Sequence, residues 1–253
     1  MMKVITYLIN LDGSHERLKN ATAILASQGV EFTRFPAVDG RGKALTEFKY
    51  YNDKKAKQVM GRSLLNAEIG CYLSHVGCIQ KFLASDADYL IVLEDDMKLA
   101  NDFKTTLDKV LEYLDTNKVF NWNLINIGPK KKKICNLIQS FQGHELLHAY
   151  YFPIRTIGLV WSRQGAEEFM AQGVEIFMPI DNYLQYWLSG NSKGLSVWEP
   201  LVRPSGFESE IDINRSSKKK TSFIFSLKKQ MRTWGVRLKA IGHKIQHKNR
   251  NLG

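Results

Sequence analysis

The strongest constraint on the fold of this 253-residue chain is an apolar run that ends in three consecutive acidic side chains. Residues 89–93 are apolar, and Glu94, Asp95 and Asp96 follow directly. A buried strand cannot accommodate unpaired carboxylates in its interior, and adjacent carboxylates repel one another unless a cation neutralises them. Because ligands of open α/β sheets bind at the carboxyl ends of the strands, the run predicts a ligand-binding edge. A solvated acidic turn is the alternative.

The fold class predicted from the chain is α/β with a mostly parallel sheet flanked by helices. Residues 3–11 and 30–35 are expected to be strands, and the helix between them ends near Ser27 with Ser14 as its N-cap. Further helices are predicted at 66–83, 101–114 and 163–171 and after Pro179, and strands at 88–93, at 122–127 and within 140–161.

The net charge of +11 arises from the C-terminal segment. Residues 213–253 contain twelve Lys or Arg and no acidic residue, whereas residues 1–212 contain 24 basic and 25 acidic residues. We therefore predict two parts, a nearly neutral globular domain at 1–212 and a basic tail at 213–253.

The tail has the pattern of a cationic amphipathic helix. Its apolar residues recur at spacings of three and four, at Ile224, Leu227, Met231, Trp234, Leu238, Ile241 and Ile245. Lysines and arginines flank this stripe, as in helices that lie on anionic membranes. We predict that residues 218–250 bind such a surface; packing of the stripe on the globular domain and coiled-coil pairing are the alternatives. Nucleic acid is not expected, because the basic residues form no independent patch.

Other features favour a cytoplasmic protein. No apolar run approaches the roughly 18 residues of a membrane span, and the N-terminus lacks a signal-peptide cleavage pattern. The three cysteines, Cys71, Cys78 and Cys135, form no CxxC pair.

Residues 144–148 spell the HExxH sequence of zinc hydrolases. That chemistry requires a helix that presents both histidines, whereas strand-forming residues and Pro153 follow here. Chance occurrence is the preferred interpretation. A zinc-dependent hydrolase and a non-enzymatic basic module that binds membranes or nucleic acid remain the two alternative functions.

Six short patterns, in order from about Ile5 to Pro204, resemble glycosyltransferase family 25, the galactosyltransferases of lipopolysaccharide and lipooligosaccharide biosynthesis. They are Ile9-Asn10-Leu11-Asp12 with Arg17, Ala37-Val38-Asp39-Gly40, the EIGCYLSH run from Glu68 to His75, Leu93-Glu94-Asp95-Asp96, Gly158-Leu159-Val160-Trp161-Ser162 with Gly165-Ala166, and Pro179-Ile180-Asp181-Asn182-Tyr183-Leu184. The Cys-x-x-Ser-His helix beside the acidic triplet is the most specific part. Residues 203–209 depart from the family pattern.

The resemblance implies a GT-A-like, Rossmann-like catalytic domain at 1–212, with the cationic helix added at its C-terminus. It implies a UDP-sugar donor, most simply UDP-galactose, and inversion at the anomeric carbon. It also implies a lipid-linked lipooligosaccharide acceptor. The enzyme is then expected on the cytoplasmic face of a bacterial inner membrane, as a peripheral protein.

The acidic triplet resembles the DxD motif of nucleotide-sugar glycosyltransferases, which implies Mn²⁺ or Mg²⁺ on the donor diphosphate. Asp96 is the expected metal ligand, and Glu94 is a second ligand or a ribose contact. Asp95 is a donor-site candidate whose role stays open. Asp181, at the start of a helix, is the candidate base for the acceptor hydroxyl, with an ordinary first-turn aspartate as the alternative.

The remaining donor-binding candidates follow strand ends. Asn10, Asp12 and Arg17 lie where the first strand meets the first helix, and they are expected to hold uracil, ribose and phosphate. Asp39 ends the second strand and is either a nucleotide contact or a turn residue.

Two candidates lie on the mainly apolar face of the 66–83 helix. Glu68 and His75 are expected to be buried and therefore partnered, either within the core or with the donor sugar.

Overall fold

The computed structural model describes residues 2–117, 121–172, 174–206 and 223–250. Its strands are β1 (Val4–Asn10), β2 (Thr33–Pro36), β3 (Tyr89–Glu94), β4 (Met97–Leu99), β5 (Leu124–Asn126), β6 (Asn136–Phe141), β7 (His144–His148), β8 (Gly158–Ser162), β9 (Gly194–Trp198) and β10 (Val202–Pro204). Its helices are α1 (His15–Ser27), α2 (Asp53–Met60), α3 (Asn66–Leu83), α4 (Phe103–Thr116), α5 (Arg163–Ala171), α6 (Ile180–Asn191) and α7 (Phe223–Arg250), with a 3-10 turn at Leu45–Glu47.

Eight of the strands form one sheet in the order β2-β1-β3-β8-β5-β9-β7-β6. The pairings show that only β7 and β8 run against the direction of the other six strands. The predicted fold class, a mostly parallel sheet flanked by helices with a further C-terminal helix, is confirmed. Because β8 runs against its neighbours β3 and β5, the residues that precede β8 lie beside the carboxyl ends of those strands.

The alternation of side chains along β3 explains why helices cover both faces of the sheet. Leu90 and Val92 belong to the core cluster that includes α3, α5 and α6. Ile91 and Leu93 belong to the cluster that includes α1 and α4. All four side chains are at least 94% buried. The continuous apolar sequence of β3 therefore stabilises the fold because both faces of the strand are packed.

The HExxH sequence lies on β7, which contradicts the zinc-hydrolase alternative. Residues four apart on a strand are separated by about 13 Å, too far to share one ion. His144 contacts the Glu199 carbonyl oxygen at 2.6 Å, and His148 contacts the Ser192 carbonyl oxygen at 2.8 Å. Each histidine is therefore a structural residue that joins β7 to a neighbouring loop.

The C-terminal helix α7 packs on the rest of the protein through one face. Val236 and Ala240 are buried against Tyr150 and Tyr151. The predicted apolar stripe is on another face, and Met231, Trp234 and Leu238 are 67%, 61% and 63% exposed. The stripe does not pack on the globular part, at least among the described side chains, which exclude that of Ile224.

The predicted membrane-binding range and tail extend beyond what is described. Residues 213–222 and 251–253 lie outside the described residues. Where the chain is described, none of its helices has both the length and the apolar character needed to span a membrane.

Candidate active site

The acidic triplet lies at the carboxyl edge of the sheet, where β1 and β3 end side by side. Asn10 donates from Nδ2 to Asp95 Oδ2 at 2.7 Å, and Arg17 Nη1 is 3.4 Å from Asp95 Oδ1. Burial raises the pKa of Asp95, although the hydrogen bond from Asn10 and the charge of Arg17 oppose that effect. Two of the predicted donor-binding residues, Asn10 and Arg17, therefore meet the triplet directly.

The Glu94 carboxylate is held by two side chains that arrive from different elements. Thr156 donates to Oε1 at 2.6 Å, and His75 Nε2 is 3.3 Å from the same oxygen. Burial acts to raise the pKa of Glu94, but the contacts with His75 and Thr156 and the charge of Arg155 outweigh burial and lower the pKa. Glu94 is therefore a fixed, ionised carboxylate.

Asp96 has the opposite environment. Its Oδ1 atom is buried and has no hydrogen-bond partner among the described residues. Burial, together with the charges of Glu94 and Asp95, raises the pKa of Asp96 to about 6. An unpartnered carboxylate oxygen beside two further acids fits a hard divalent cation such as Mn²⁺ or Mg²⁺. Asp96 and Glu94 are the residues that would hold it.

A second group of possible metal ligands includes Glu94 and two residues of α3. The Cys71 sulfur, a ring nitrogen of His75 and a Glu94 oxygen are all within 4.8 Å of one another. Burial raises the pKa of the Cys71 thiol well above its usual range, and Glu94 and Asp181 add to that effect. Because hard divalent cations prefer oxygen ligands to sulfur, the oxygen set around Asp96 is the better match for Mn²⁺ or Mg²⁺.

The structure explains three residues of the EIGCYLSH pattern of α3, namely Gly70, Ser74 and His75. A Cβ atom on Gly70 would lie 2.4 Å from the Val38 carbonyl oxygen, so only glycine permits this close approach. Ser74 Oγ accepts a hydrogen bond from the Val38 amide at 2.9 Å and donates to the Gly70 carbonyl at 2.8 Å. This packing fixes α3 against the 37–40 loop, and His75 then reaches Glu94.

The Glu68 carboxylate is held by residues that directly precede α3. Its carboxylate accepts from the Leu65 amide at 2.9 Å and from both terminal nitrogens of Arg62 at 2.8 and 2.7 Å. The side chain is 2% exposed, so these contacts satisfy the buried charge.

Asp12 is connected to the site through Arg34, whereas Asp39 pairs with Arg41. Arg34 pairs with Asp12 and donates from Nε to Asn10 Oδ1 at 2.9 Å, which joins Asp12 to the site edge. Asp39 pairs with Arg41 at 2.8 Å, and the hydrogen bond from Arg41 lowers the pKa of Asp39. Among the described contacts, none links Asp39 to the acidic triplet.

Asp181 lies in the first turn of α6, two residues after the N-cap Pro179. Its Oδ1 atom accepts two hydrogen bonds from Asn182, one from the backbone amide and one from Nδ2, both at 2.7 Å. Asp181 and the triplet both act on the pKa of Cys71, so the candidate base and the candidate metal ligands lie around the same thiol.

The sequence analysis did not identify the segment that precedes β8. Asn126, at the end of β5, donates to the carbonyl oxygens of Pro153 and Arg155 at 3.2 and 2.8 Å. Arg155 has a φ of 94°, a conformation that non-glycine residues rarely adopt. This loop places Thr156 within hydrogen-bond distance of Glu94. No local pattern marks these residues, because their position depends on the antiparallel pairing of β8.

Comparison with known proteins identifies the family. Residues 3–184 match the model of glycosyltransferase family 25, described as an LPS biosynthesis protein. The chain belongs to glycosyltransferase family 25. The matched range includes the acidic triplet, the α3 pattern and Asp181, whereas α7 lies outside it.

Individual family 25 relatives are longer proteins. A glycosyltransferase 25 family member from Aedes aegypti is 30% identical over 183 residues, which cover 70% of this chain and 30% of that protein. Procollagen galactosyltransferase 2 from Homo sapiens is 25% identical over 219 residues, covering 79% of this chain and 35% of that protein. The matched part of the chain thus spans about a third of the length of these curated relatives.

Among solved structures, this family 25 chain is similar to a glycosyltransferase involved in the glycosylation of the major capsid of PBCV-1. The TM-score is 0.44 with 8% sequence identity, over 85% of this chain and 100% of that one.

Proposed function

We propose that this protein is a metal-dependent galactosyltransferase that moves galactose from UDP-galactose to a sugar hydroxyl with inversion. The observation that carries the proposal is the acidic triplet at the carboxyl edge of the sheet, where a buried oxygen of Asp96 has no partner among the described residues. Family membership and the printed name of the human relative, a galactosyltransferase, support the reaction class and the donor sugar.

On the donor side, the chain supplies a fixed set of carboxylates. Asp96 and Glu94 would hold Mn²⁺ or Mg²⁺, which when bound neutralises the charge that develops on the departing diphosphate. His75 and Thr156 hold Glu94 in place. Arg17 offers a guanidinium suited to a phosphate oxygen.

The nucleoside would bind further along the same edge. Asn10 is fixed by Arg34, which also pairs with Asp12, so these side chains form a polar surface for ribose or uracil.

On the acceptor side, Asp181 is proposed as the general base. The acceptor oxygen forms a bond to the anomeric carbon while the bond from that carbon to the diphosphate oxygen breaks. UDP leaves with the bonding electron pair, and the hydroxyl proton passes to Asp181. The amides at the start of α6 stabilise the Asp181 carboxylate before transfer.

A binding assay and a product assay test this function. We expect Mn²⁺ and UDP-galactose together to raise the unfolding temperature, because a ligand at 100 times its Kd stabilises by about 2.7 kcal/mol. UDP-glucose and UDP-N-acetylglucosamine serve as controls, and chelation should reverse the effect. NMR of the product formed on soluble saccharide acceptors gives the anomeric configuration. Metal-independent stabilisation of equal size by all three donors would contradict the proposal.

We further propose a lipid-linked oligosaccharide acceptor and a peripheral position on the inner face of a bacterial inner membrane. The support comes from α7, whose stripe exposes Met231, Trp234 and Leu238 while its other face packs on the protein. Basic side chains such as Arg237 and Lys248 are exposed, and helical spacing places both beside this stripe. An exposed apolar stripe flanked by cations matches an anionic lipid surface.

Substituting the stripe should separate membrane binding from catalysis. We expect Trp234→Glu with Leu238→Glu to reduce cosedimentation with phosphatidylglycerol vesicles at least tenfold, because burial of each apolar side chain contributes about 1.5–3 kcal/mol. Transfer to a soluble acceptor should stay unchanged. The control pair, Thr233→Glu with Gln246→Glu, introduces the same charge at exposed positions off the stripe. Equal losses for both pairs would mean that charge alone drives binding and that the stripe does not enter the lipid.

A further inference from the structure

An arginine of α7 reaches the side of the protein that holds the candidate base. Arg232 Nη2 donates to Asn182 Oδ1 at 3.0 Å, and Nη1 contacts the Met60 sulfur. Burial lowers the pKa of Arg232, and the negative charge of Asp181 opposes that effect. Arg232 is therefore a partly desolvated cation close to a carboxylate, whereas Arg237, one and a half turns further along α7, is exposed.

The hydrogen bonds form a chain from Arg232 to Asp181. A guanidinium can only donate, so Arg232 requires the oxygen of the Asn182 amide to face it. The nitrogen of that amide then faces the other way, and it donates to Asp181 Oδ1 at 2.7 Å. The backbone amide of Asn182 donates to the same oxygen at 2.7 Å. The orientation of the Asp181 carboxylate thus depends on a residue of the C-terminal helix.

We infer that Arg232 is a positioning residue for Asp181, and that α7 is consequently part of the transfer site. The inference rests on the proposed role of Asp181 as general base. A base must lie within hydrogen-bond reach of the proton it removes, and small displacements of a reacting group cost large factors in rate. The basic tail therefore has a second task beside the exposed stripe, which is to hold the carboxylate at the start of α6.

Kinetics of Arg232→Ala and Arg237→Ala test the inference. Both substitutions remove one arginine from the same helix, but only Arg232 bonds to Asn182. We expect Arg232→Ala to lower kcat with a soluble acceptor by about 10- to 100-fold, the effect of losing one hydrogen bond to a charged group. The KM for UDP-galactose should stay within about twofold, since the donor residues are untouched. Arg237→Ala should keep wild-type kcat, and Arg232→Lys should recover part of the loss.

A second variant distinguishes positioning from simple attachment of α7. Asn182→Asp keeps an acceptor oxygen for Arg232, so α7 stays docked, but it removes the amide donor that faces Asp181. We expect a loss of kcat at least as large as that of Arg232→Ala, because the new carboxylate no longer donates to Asp181 and also repels it. Wild-type kcat in Asn182→Asp, or in folded Arg232→Ala, would overturn the inference. The parent proposal is judged separately: if Asp181→Asn is fully active, the base assignment itself is wrong.

Discussion

Replacing Asp181 with Asn is expected to lower kcat by about 10²–10⁴, the range for loss of a general base. The amide is isosteric with the carboxylate and can still bond to Asn182, but it cannot accept the acceptor proton. The KM for UDP-galactose should stay within about twofold, because the donor contacts at the ends of β1 and β3 are unchanged. Steady-state kinetics with a soluble acceptor, together with donor binding by calorimetry, measure both quantities.

A matched control addresses the alternative that Asp181 is an ordinary first-turn aspartate. Asp53 occupies the first turn of α2 and bonds to Tyr51 and Lys57. Asp53→Asn removes a helix-terminal charge of the same kind and should reduce stability without reducing transfer. If donor affinity falls as steeply as kcat in Asp181→Asn, then Asp181 binds the donor or supports the fold and is not the base.

Replacing Asp96 with Asn should abolish measurable transfer and yet stabilise the metal-free protein at neutral pH. A lost metal ligand removes charge stabilisation worth several kcal/mol, about 10³-fold or more in rate. The stability effect has the opposite sign, because the pKa of Asp96 is raised from 3.8 to about 6 in the folded state. The stability that comes from the protonated carboxyl is fully present below about pH 4 and is lost as pH rises through about 6.

The expected gain in the free energy of unfolding for Asp96→Asn is about 2–3 kcal/mol at pH 7.5 and much smaller at pH 4. Chemical denaturation with a chelator present, at both pH values, measures this difference. Asp108→Asn, which replaces an exposed aspartate paired with Lys104 on α4, is the control and should show no such pH dependence. A parallel pH dependence of wild type and Asp96→Asn would show that ionisation of Asp96 does not destabilise the folded protein.

The parts of the site that local sequence could predict are those set by strand ends and helix periodicity. α3 and α5 have the predicted boundaries. Asn10 and Arg17 meet the acidic triplet because parallel strands end at a common edge, which the βαβ pattern implies. The sequence predicts that His75 has a partner but does not identify Glu94, because the 3.3 Å contact between them depends on how α3 packs across the sheet.

What the sequence could not show depends on long-range pairing. Thr156 reaches Glu94 only because β8 enters the sheet against its neighbours, and no residue near Thr156 signals that direction. β4, β9 and β10 are three to five residues long, too short for a clear alternation. Arg232 contacts Asn182 across 50 residues of chain, where periodicity gives no information about contacts.

The basic tail shows a further limit of prediction from sequence patterns. An amphipathic pattern identifies the apolar face of a helix, and the stripe residues of α7 with described side chains, from Leu227 to Ile245, are exposed. The pattern does not reveal that the opposite face docks on the protein through small residues such as Ala240 and through polar contacts such as that of Lys244 with the Cys135 carbonyl at 3.0 Å.

The two-sided use of α7 has a geometric consequence for the acceptor. Arg232 and the exposed stripe lie on roughly opposite sides of one helix, whose diameter with side chains is about 10 Å. In the proposed membrane-bound state, the helix would be a spacer of fixed height between the lipid headgroups and Asp181, the proposed base. We expect such a spacer to favour saccharides whose reactive hydroxyl is close to their lipid anchor, so that chain length is selected by distance.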